Sequence, residues 1–292
     1  MDIGIVILNY LNYEDTIECV NSILVQSLKP KNIVVVDNHS NNESYTMLKQ
    51  EFDGYDSVEI IELKENLGFA RGNNAGIQIC RSKGLQNILV INNDTVIYEN
   101  DFIEKLIRIS YNNKIGIIGP KIIGKDGLDQ NPVYTENSLF QMLRRLNYSL
   151  LSDLSFYKIL KKKISKKAQY NNENKNNVKQ KFILHGSALF FTENFFKYYE
   201  GFYPGTFLYV EENILAYMLQ KVNLKFHFVD KISIFHKEDK SSAMAFSNSK
   251  SIYKKFMAKS SLVAIGVYFN SYKSISKKIQ KDMKMLSLKY IK

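Results

Sequence analysis

The sequence predicts an α/β fold with a mostly parallel central sheet flanked by helices. Three observations carry that prediction. Short apolar, β-branched runs recur at 3–8, 33–36, 58–63 and 88–91, the pattern of strands covered on both faces. Segments with helical spacing separate them, and strand–helix alternation repeated four times argues for a parallel sheet. The second and fourth runs lead directly into carboxylates, Asp37 and Asp94. In an open α/β sheet, ligands bind just beyond the carboxyl ends of the strands.

In chain order, Ile3 to Leu8 forms the first strand and Asn9 to Tyr13 a loop. A helix over 14–27 has acids in its first turn and Ile17, Val20 and Leu24 at i, i+3, i+7 spacing. Ile33–Val36 is the second strand, and a helix over about 43–52 follows. Val58–Leu63 is the third strand. A Gly- and Asn-rich stretch, 65–76, then opens a helix over about 72–83. The fourth strand, Ile88–Ile91, runs into Asn92-Asn93-Asp94. No Gly-x-Gly-x-x-Gly follows the first strand, which argues against a dinucleotide-binding dehydrogenase.

The chain of 292 residues is 45% hydrophobic, enough for a substantial core. Cys19 and Cys80 lie within apolar helical patterns and make neither a disulfide framework nor a zinc spacing, which fits a reducing compartment. The chain enters a strand at Ile3, so no leader is expected, and no apolar run has the length of a membrane span. Charge is unevenly distributed. Residues 144–181 carry a net +9 and residues 250–292 a net +10, which leaves −8 on the rest of a chain whose total is +11. Such basic segments suit nucleic acid or an anionic membrane surface. They contain no stacking motif, and the acidic sheet edge would repel a phosphate backbone, so nucleic acid is the weaker reading.

Four pieces, Val6-Ile7-Leu8-Asn9-Tyr10, Val35-Val36-Asp37-Asn38-His39-Ser40, Asn66-Leu67-Gly68-Phe69-Ala70-Arg71-Gly72-Asn73-Asn74-Ala75-Gly76 and Ile91-Asn92-Asn93-Asp94-Thr95, carry a resemblance in content, order and spacing. Together they resemble the family 2 glycosyltransferases of GT-A fold, and more narrowly the bacterial rhamnosyltransferase-like members that build surface polysaccharides of the cell envelope. Downstream, His185-Gly186-Ser187-Ala188, Gly201-Phe202 and Phe207 to Leu215 look like the acceptor-side elements of that family. The resemblance implies a catalytic domain over 1–245, comprising a nucleotide-sugar half (1–125), a basic helical insertion and loop (138–181) and an acceptor-side half (182–245). A basic helical extension would follow over 246–292.

The same resemblance implies roles. Tyr10 would stack on the nucleobase and Asp37 hold base or ribose. Arg71 would lie near the sugar or diphosphate, with Asn9, Asn66, Asn92 and Asn93 completing the donor site. Asp94 would bind Mg²⁺ or Mn²⁺, with His236 in its shell, and one of Glu211 and Glu212 would be the catalytic base, Glu212 standing in the position of the family's catalytic aspartate. The chain departs from the family pattern twice. The metal triplet begins with Asn92, where an aspartate is usual, and the Glu-Asp pair is Glu211-Glu212. The implied reaction is inverting transfer from a nucleoside-diphosphate sugar, such as dTDP-rhamnose or a UDP-hexose, to a lipid-linked or growing glycan. A nucleotide-sugar-binding homologue without turnover is the alternative. Apolar and basic residues at helical spacing in 138–165 and from Ser251 onward suit an anionic leaflet. The expectation is a cytoplasmic protein, peripheral to the inner face of the bacterial cell membrane; a helical cap that packs on the sheet and keeps its lysines in water is the alternative.

Overall fold

A computed structural model describes residues 2–135, 138–151, 181–238 and 250–291. The basic pattern at Phe156–Lys163 and most of the Asn/Lys-rich loop expected over 166–181 fall outside these residues.

The expected alternation forms as β1 (Ile3–Asn9), α1 (Tyr13–Leu24), β2 (Asn32–Asp37), α2 (Ser44–Glu51), β3 (Val58–Glu62), α3 (Gly68–Ser82) and β4 (Asn87–Asn92). Next come β5 (Thr95–Val96), α4 (Phe102–Ile107), β6 (Ile115–Gly124), β7 (Val133–Tyr134) and α5 (Leu139–Leu151). The downstream part supplies β8 (Phe182–Ile183), β9 (Ala188–Phe191), α6 (Glu193–Phe196), α7 (Glu211–Lys221) and β10 (Lys225–His236). Two helices close the fold, α8 (Lys250–Phe269) and α9 (Tyr272–Met285), and a π turn follows over Leu286–Tyr290.

Eight strands form one sheet in the order β3-β2-β1-β4-β9-β6-β10-β5. β1 to β4 pair in parallel, β9 is antiparallel to both its neighbours, and β10 runs parallel to β6. Successive side chains of a strand point to opposite faces, and the core divides accordingly. Ile3, Ile5 and Ile7 pack with Cys19, Val20 and Ile23 of α1. Val6 packs on the other face with Ala75 and Cys80 of α3. Gly72 and Gly76 let α3 approach β1 closely. A Cβ at Gly76 would lie 2.4 Å from Val6 Cγ1, and one at Gly72 2.6 Å from Leu8 Cδ1.

The C-terminal helices are built into the core rather than projecting from it. Ala264, Val267, Ile275, Ile279, Met283 and Leu286 join the cluster that contains Val6. In α9 the buried residues recur every four positions and the lysines face out. The chain then returns to the sheet edge, where Leu63 bridges Ile291 and Lys64 N–H donates to the Tyr290 carbonyl at 2.8 Å.

Candidate active site

The carboxyl ends of β1, β2 and β4 open on a cavity of about 440 Å³. Tyr10, Asn66, Asn92, Asn93, Asp94, Glu211, Glu212 and His236 all line it, although they come from separate parts of the chain. Asn66 takes part through its side-chain oxygen, which accepts from Gly68 N–H and from Asn38 Nδ2, each at 2.9 Å. Asn93 spends its amide on the start of α1, donating to the Asn12 carbonyl and to Thr16 Oγ1.

Three expected residues lie outside the lining. Asp37 is fully buried and accepts from Asn9 Nδ2 at 2.7 Å and Ser40 N–H at 2.9 Å. Asn9 also accepts from Thr16 Oγ1 at 2.7 Å. The pair therefore ties the ends of β1 and β2 to α1, and neighbouring Asn38 reaches the cavity instead. Arg71, expected near the sugar or diphosphate, instead donates from Nε to Asp282 Oδ1 at 2.9 Å, and its guanidinium lies 4.7 Å over the Tyr290 ring. Its helix turns it toward the C-terminal segment, whose docking the sequence did not disclose.

Asp94 and His236 meet because β5 and β10 pair antiparallel, with Thr95 opposite His236. His236 Nε2 lies 3.3 Å from Asp94 Oδ1, and that oxygen is buried without a hydrogen-bond partner. A chain of contacts fixes the histidine tautomer. Gln130 Nε2 donates to Glu238 Oε1, so Gln130 Oε1 faces His236 Nδ1, at 2.8 Å. Nδ1 must then carry the hydrogen, and in the neutral ring Nε2 presents a lone pair to the Asp94 carboxylate. With Oδ1 unpartnered and a ring nitrogen close to it, the two side chains would suit a cation at this edge of the cavity. Among the described residues no set of three His, Cys, Asp or Glu side chains gathers round one point. A two-side-chain set fits a hard cation that takes its other oxygens from substrate and water.

His185 sits with its ring 5.5 Å from that of His236, and its Nδ1 is 2.9 Å from Ser187 Oγ. Burial, then the neighbouring His236, pushes it down to about 4, so it is neutral at pH 7. The sequence singled out neither Gln130 nor Glu238; Glu238 lies two residues beyond His236, and Gln130 reaches it because its loop folds back on β6, which pairs with β10.

The two glutamates open α7 in different surroundings. The turn before them is strained, with Tyr209 at φ 74° and Val210 at φ 75°, a conformation costly for a β-branched residue. Glu211 is buried with Oε1 unpartnered, and burial, then the charge of Glu212, pushes it up to about 8. Glu212 is partly buried and lies against Gly186, where a Cβ would come within 2.4 Å of Oε1. Burial raises its pKa, and the Arg145 charge opposes the rise. Behind it lies a second cavity of about 330 Å³. His185, Tyr209 and Glu212 line both spaces, so Glu212 stands in the wall between them.

The chain resembles known proteins along most of its length. It is 25% identical over 281 residues to the low-salt glycan biosynthesis hexosyltransferase Agl10 of Haloferax volcanii, an alignment covering 94% of this chain and 81% of that protein. It is 35% identical over 112 residues to the dTDP-rhamnosyl transferase RfbF of Shigella flexneri, covering 38% of this chain and 36% of that one. Its fold matches the mannosyltransferase PcManGT of Pyrobaculum calidifontis, solved with GDP-Man and Mn²⁺, at a TM-score of 0.52 and 10% identity, over 98% of this chain and 75% of that one. The family model for glycosyl transferase family 2 matches residues 3–193. With its GT-A fold and that match, the chain belongs to glycosyl transferase family 2 and is a glycosyltransferase that uses nucleotide-sugar donors.

Proposed function

We propose that the larger cavity holds the nucleoside-diphosphate sugar, the smaller one holds the acceptor alcohol, and the transfer inverts the anomeric centre. The observation that carries this reading is the position of Glu212 in the wall shared by the two cavities. A base there takes the proton of the alcohol as its oxygen bonds to the anomeric carbon. The bond from that carbon to the diphosphate oxygen breaks, and the electron pair leaves with the nucleoside diphosphate. Attack from the side opposite the leaving group gives inversion. Burial raises the pKa of Glu212, which makes its carboxylate a stronger base than an ordinary glutamate. Glu211, protonated at neutral pH, is the poorer base.

Asp94 and His236 would hold a divalent cation, as the unpartnered Oδ1 and the facing Nε2 suggest. Such an ion supplies charge neutralisation to a departing diphosphate. Tyr10 offers a ring for the nucleobase at the end of β1, and Asn66, held through its side-chain oxygen by Asn38 and Gly68, offers its Nδ2. For the donor sugar, the name of the Shigella relative supports dTDP-rhamnose and that of the Haloferax relative a hexose.

The acceptor in this reading is a lipid-linked or growing glycan met at an anionic membrane surface. The support comes from α5 rather than the C-terminal helices, whose apolar residues are largely spent on the core. Phe140, Leu143 and Leu150 form an exposed stripe on α5 with Arg144 beside it. Among the described residues no helix is long and apolar enough to cross a membrane.

A panel of UDP-, dTDP- and GDP-sugars, incubated with Mn²⁺ or Mg²⁺ and a glycan acceptor, tests the proposal. One donor should release its nucleoside diphosphate, and NMR of the product should show the opposite anomeric configuration. Nucleotide binding without turnover across the panel would favour a homologue that only binds, and a retained configuration would remove Glu212 from its role.

A further inference from the structure

We propose that the second cavity recognises an anionic group on the acceptor, a phosphate or a carboxylate next to the reacting alcohol, through the guanidinium of Arg145. This rests on the glycosyl-transfer reading above and names the class of acceptor for it.

Arg145 lines the second cavity together with Glu212, among apolar side chains that include Val133, Ile183, Leu184 and Met257. Its Nη1 donates to Asn213 Oδ1 at 2.6 Å, and among the described residues it forms no ion pair. A guanidinium has five N–H donors in a fixed fork that matches carboxylate and phosphate oxygens two at a time. One amide oxygen satisfies one donor. A cation in a cavity with apolar walls is costly unless an anion compensates it. Glu212 is close enough for its charge to interact with that of Arg145. In the reaction proposed above Glu212 takes a proton, and this compensation is then lost. An acceptor anion beside Arg145 restores it at the step where it is needed.

The helix that carries Arg145 has two distinct sides. With 3.6 residues per turn, Arg145 lies opposite the exposed stripe of Phe140, Leu143 and Leu150, and Met142 on the inner side is fully buried. The same helix thus offers an apolar face outward and a cation inward. A lipid phosphate below a leaflet and an acidic sugar of a glycan would both supply the anion.

Calorimetric titration of the full chain, preloaded with Mn²⁺ and whichever of UDP, dTDP and GDP it binds, with n-octyl phosphate, n-octyl glucuronide and n-octyl glucoside tests the proposal. At least one anionic probe should bind about tenfold or more tightly than the neutral glucoside, and which one does so identifies the source. Arg145→Gln should abolish that preference. Asn213→Asp, a nearly isosteric change that sets a carboxylate against the guanidinium, should weaken the anion and spare the glucoside, and it serves if Arg145→Gln fails to fold. Equal affinity for all three probes, no binding of either anion, or a preference that survives both substitutions overturns the proposal. The nucleotide loading step separates the two readings. If one of the three nucleotides binds and the anions do not, only the acceptor inference fails; if none of the three binds, the donor site fails.

Discussion

His236 Nε2 lies 3.3 Å from Asp94 Oδ1, and a Glu238–Gln130 relay behind it fixes which ring nitrogen faces the carboxylate. Groups behind a metal ligand set its tautomer and basicity, and losing one costs about 10- to 100-fold in metal affinity. Gln130→Leu should therefore weaken Mn²⁺-supported nucleotide binding by about that factor, beyond the modest loss of melting temperature from the unpaired Nδ1–H. Isothermal titration with Mn²⁺ and the nucleotide that binds reads it out. An unchanged affinity would mean that the relay does not serve a cation.

Glu211 sets a pH dependence of stability. Its folded pKa is raised to about 8 by burial and by Glu212. The folded chain thus holds a proton that the unfolded chain releases near the ordinary glutamate value, and stability falls as pH rises between those two values. Glu211→Gln should flatten the melting temperature between pH 5 and pH 8, a window set by that shift. A slope as steep in the variant as in the wild type would assign it to another group.

The C-terminal segment is held by a partly buried pair, Arg71 with Asp282, whose side chains are 18% and 10% exposed. Removing one partner leaves the other charge poorly compensated, so Arg71→Ala should cost about 2–3 kcal/mol. Urea unfolding of this variant should show the loss. Deletion of residues 250–292 should abolish folding outright, since Ala264, Val267, Ile275 and Ile279 belong to the core. A folded truncated protein would show that the helices are an appendage.

Gly68 begins α3 at φ 74°, and a Cβ there would meet the Phe207 carbonyl oxygen at 2.3 Å. Phe69 N–H also donates to that oxygen, at 2.7 Å. Gly68→Ala combines left-handed strain with a clash against the loop that leads to Glu211 and Glu212, and should cost about 1–3 kcal/mol. Turnover should fall further than the stability loss explains, because the loop moves with the clash. Comparing kcat with the melting curve separates the two effects.

Much of this arrangement could be read from the sequence, and the limits have physical causes. Asp94, Glu211, Glu212 and His236 line one cavity, and the local pattern sets the place of each in its element: Asp94 in the turn after β4, His236 at the end of β10, the glutamates at the start of α7. The pairing of Arg71 with Asp282 is not legible, because Asp282 is far along the chain and a cation at a helix start gives no sign of which way it turns. Asp37 was legible as a strand-end carboxylate, but its bonds to Asn9 and Ser40 depend on the register of β1 against β2. The C-terminal lysines suggested a membrane-facing tail. The buried stripe Ile275, Ile279 and Met283 at four-residue spacing was the better guide, since it shows which face packs. The insertion of β9 between β4 and β6 follows from no local pattern, because antiparallel pairing at the centre of the sheet joins distant segments.

The central claim is that Glu212 removes the acceptor proton from a position between the two cavities. It is tested most directly by measuring donor affinity and turnover together for Glu212→Gln. The account expects nucleotide-sugar affinity close to that of the wild type and transfer slowed by about 100-fold or more. Transfer at the wild-type rate, or a loss confined to donor affinity, would contradict it.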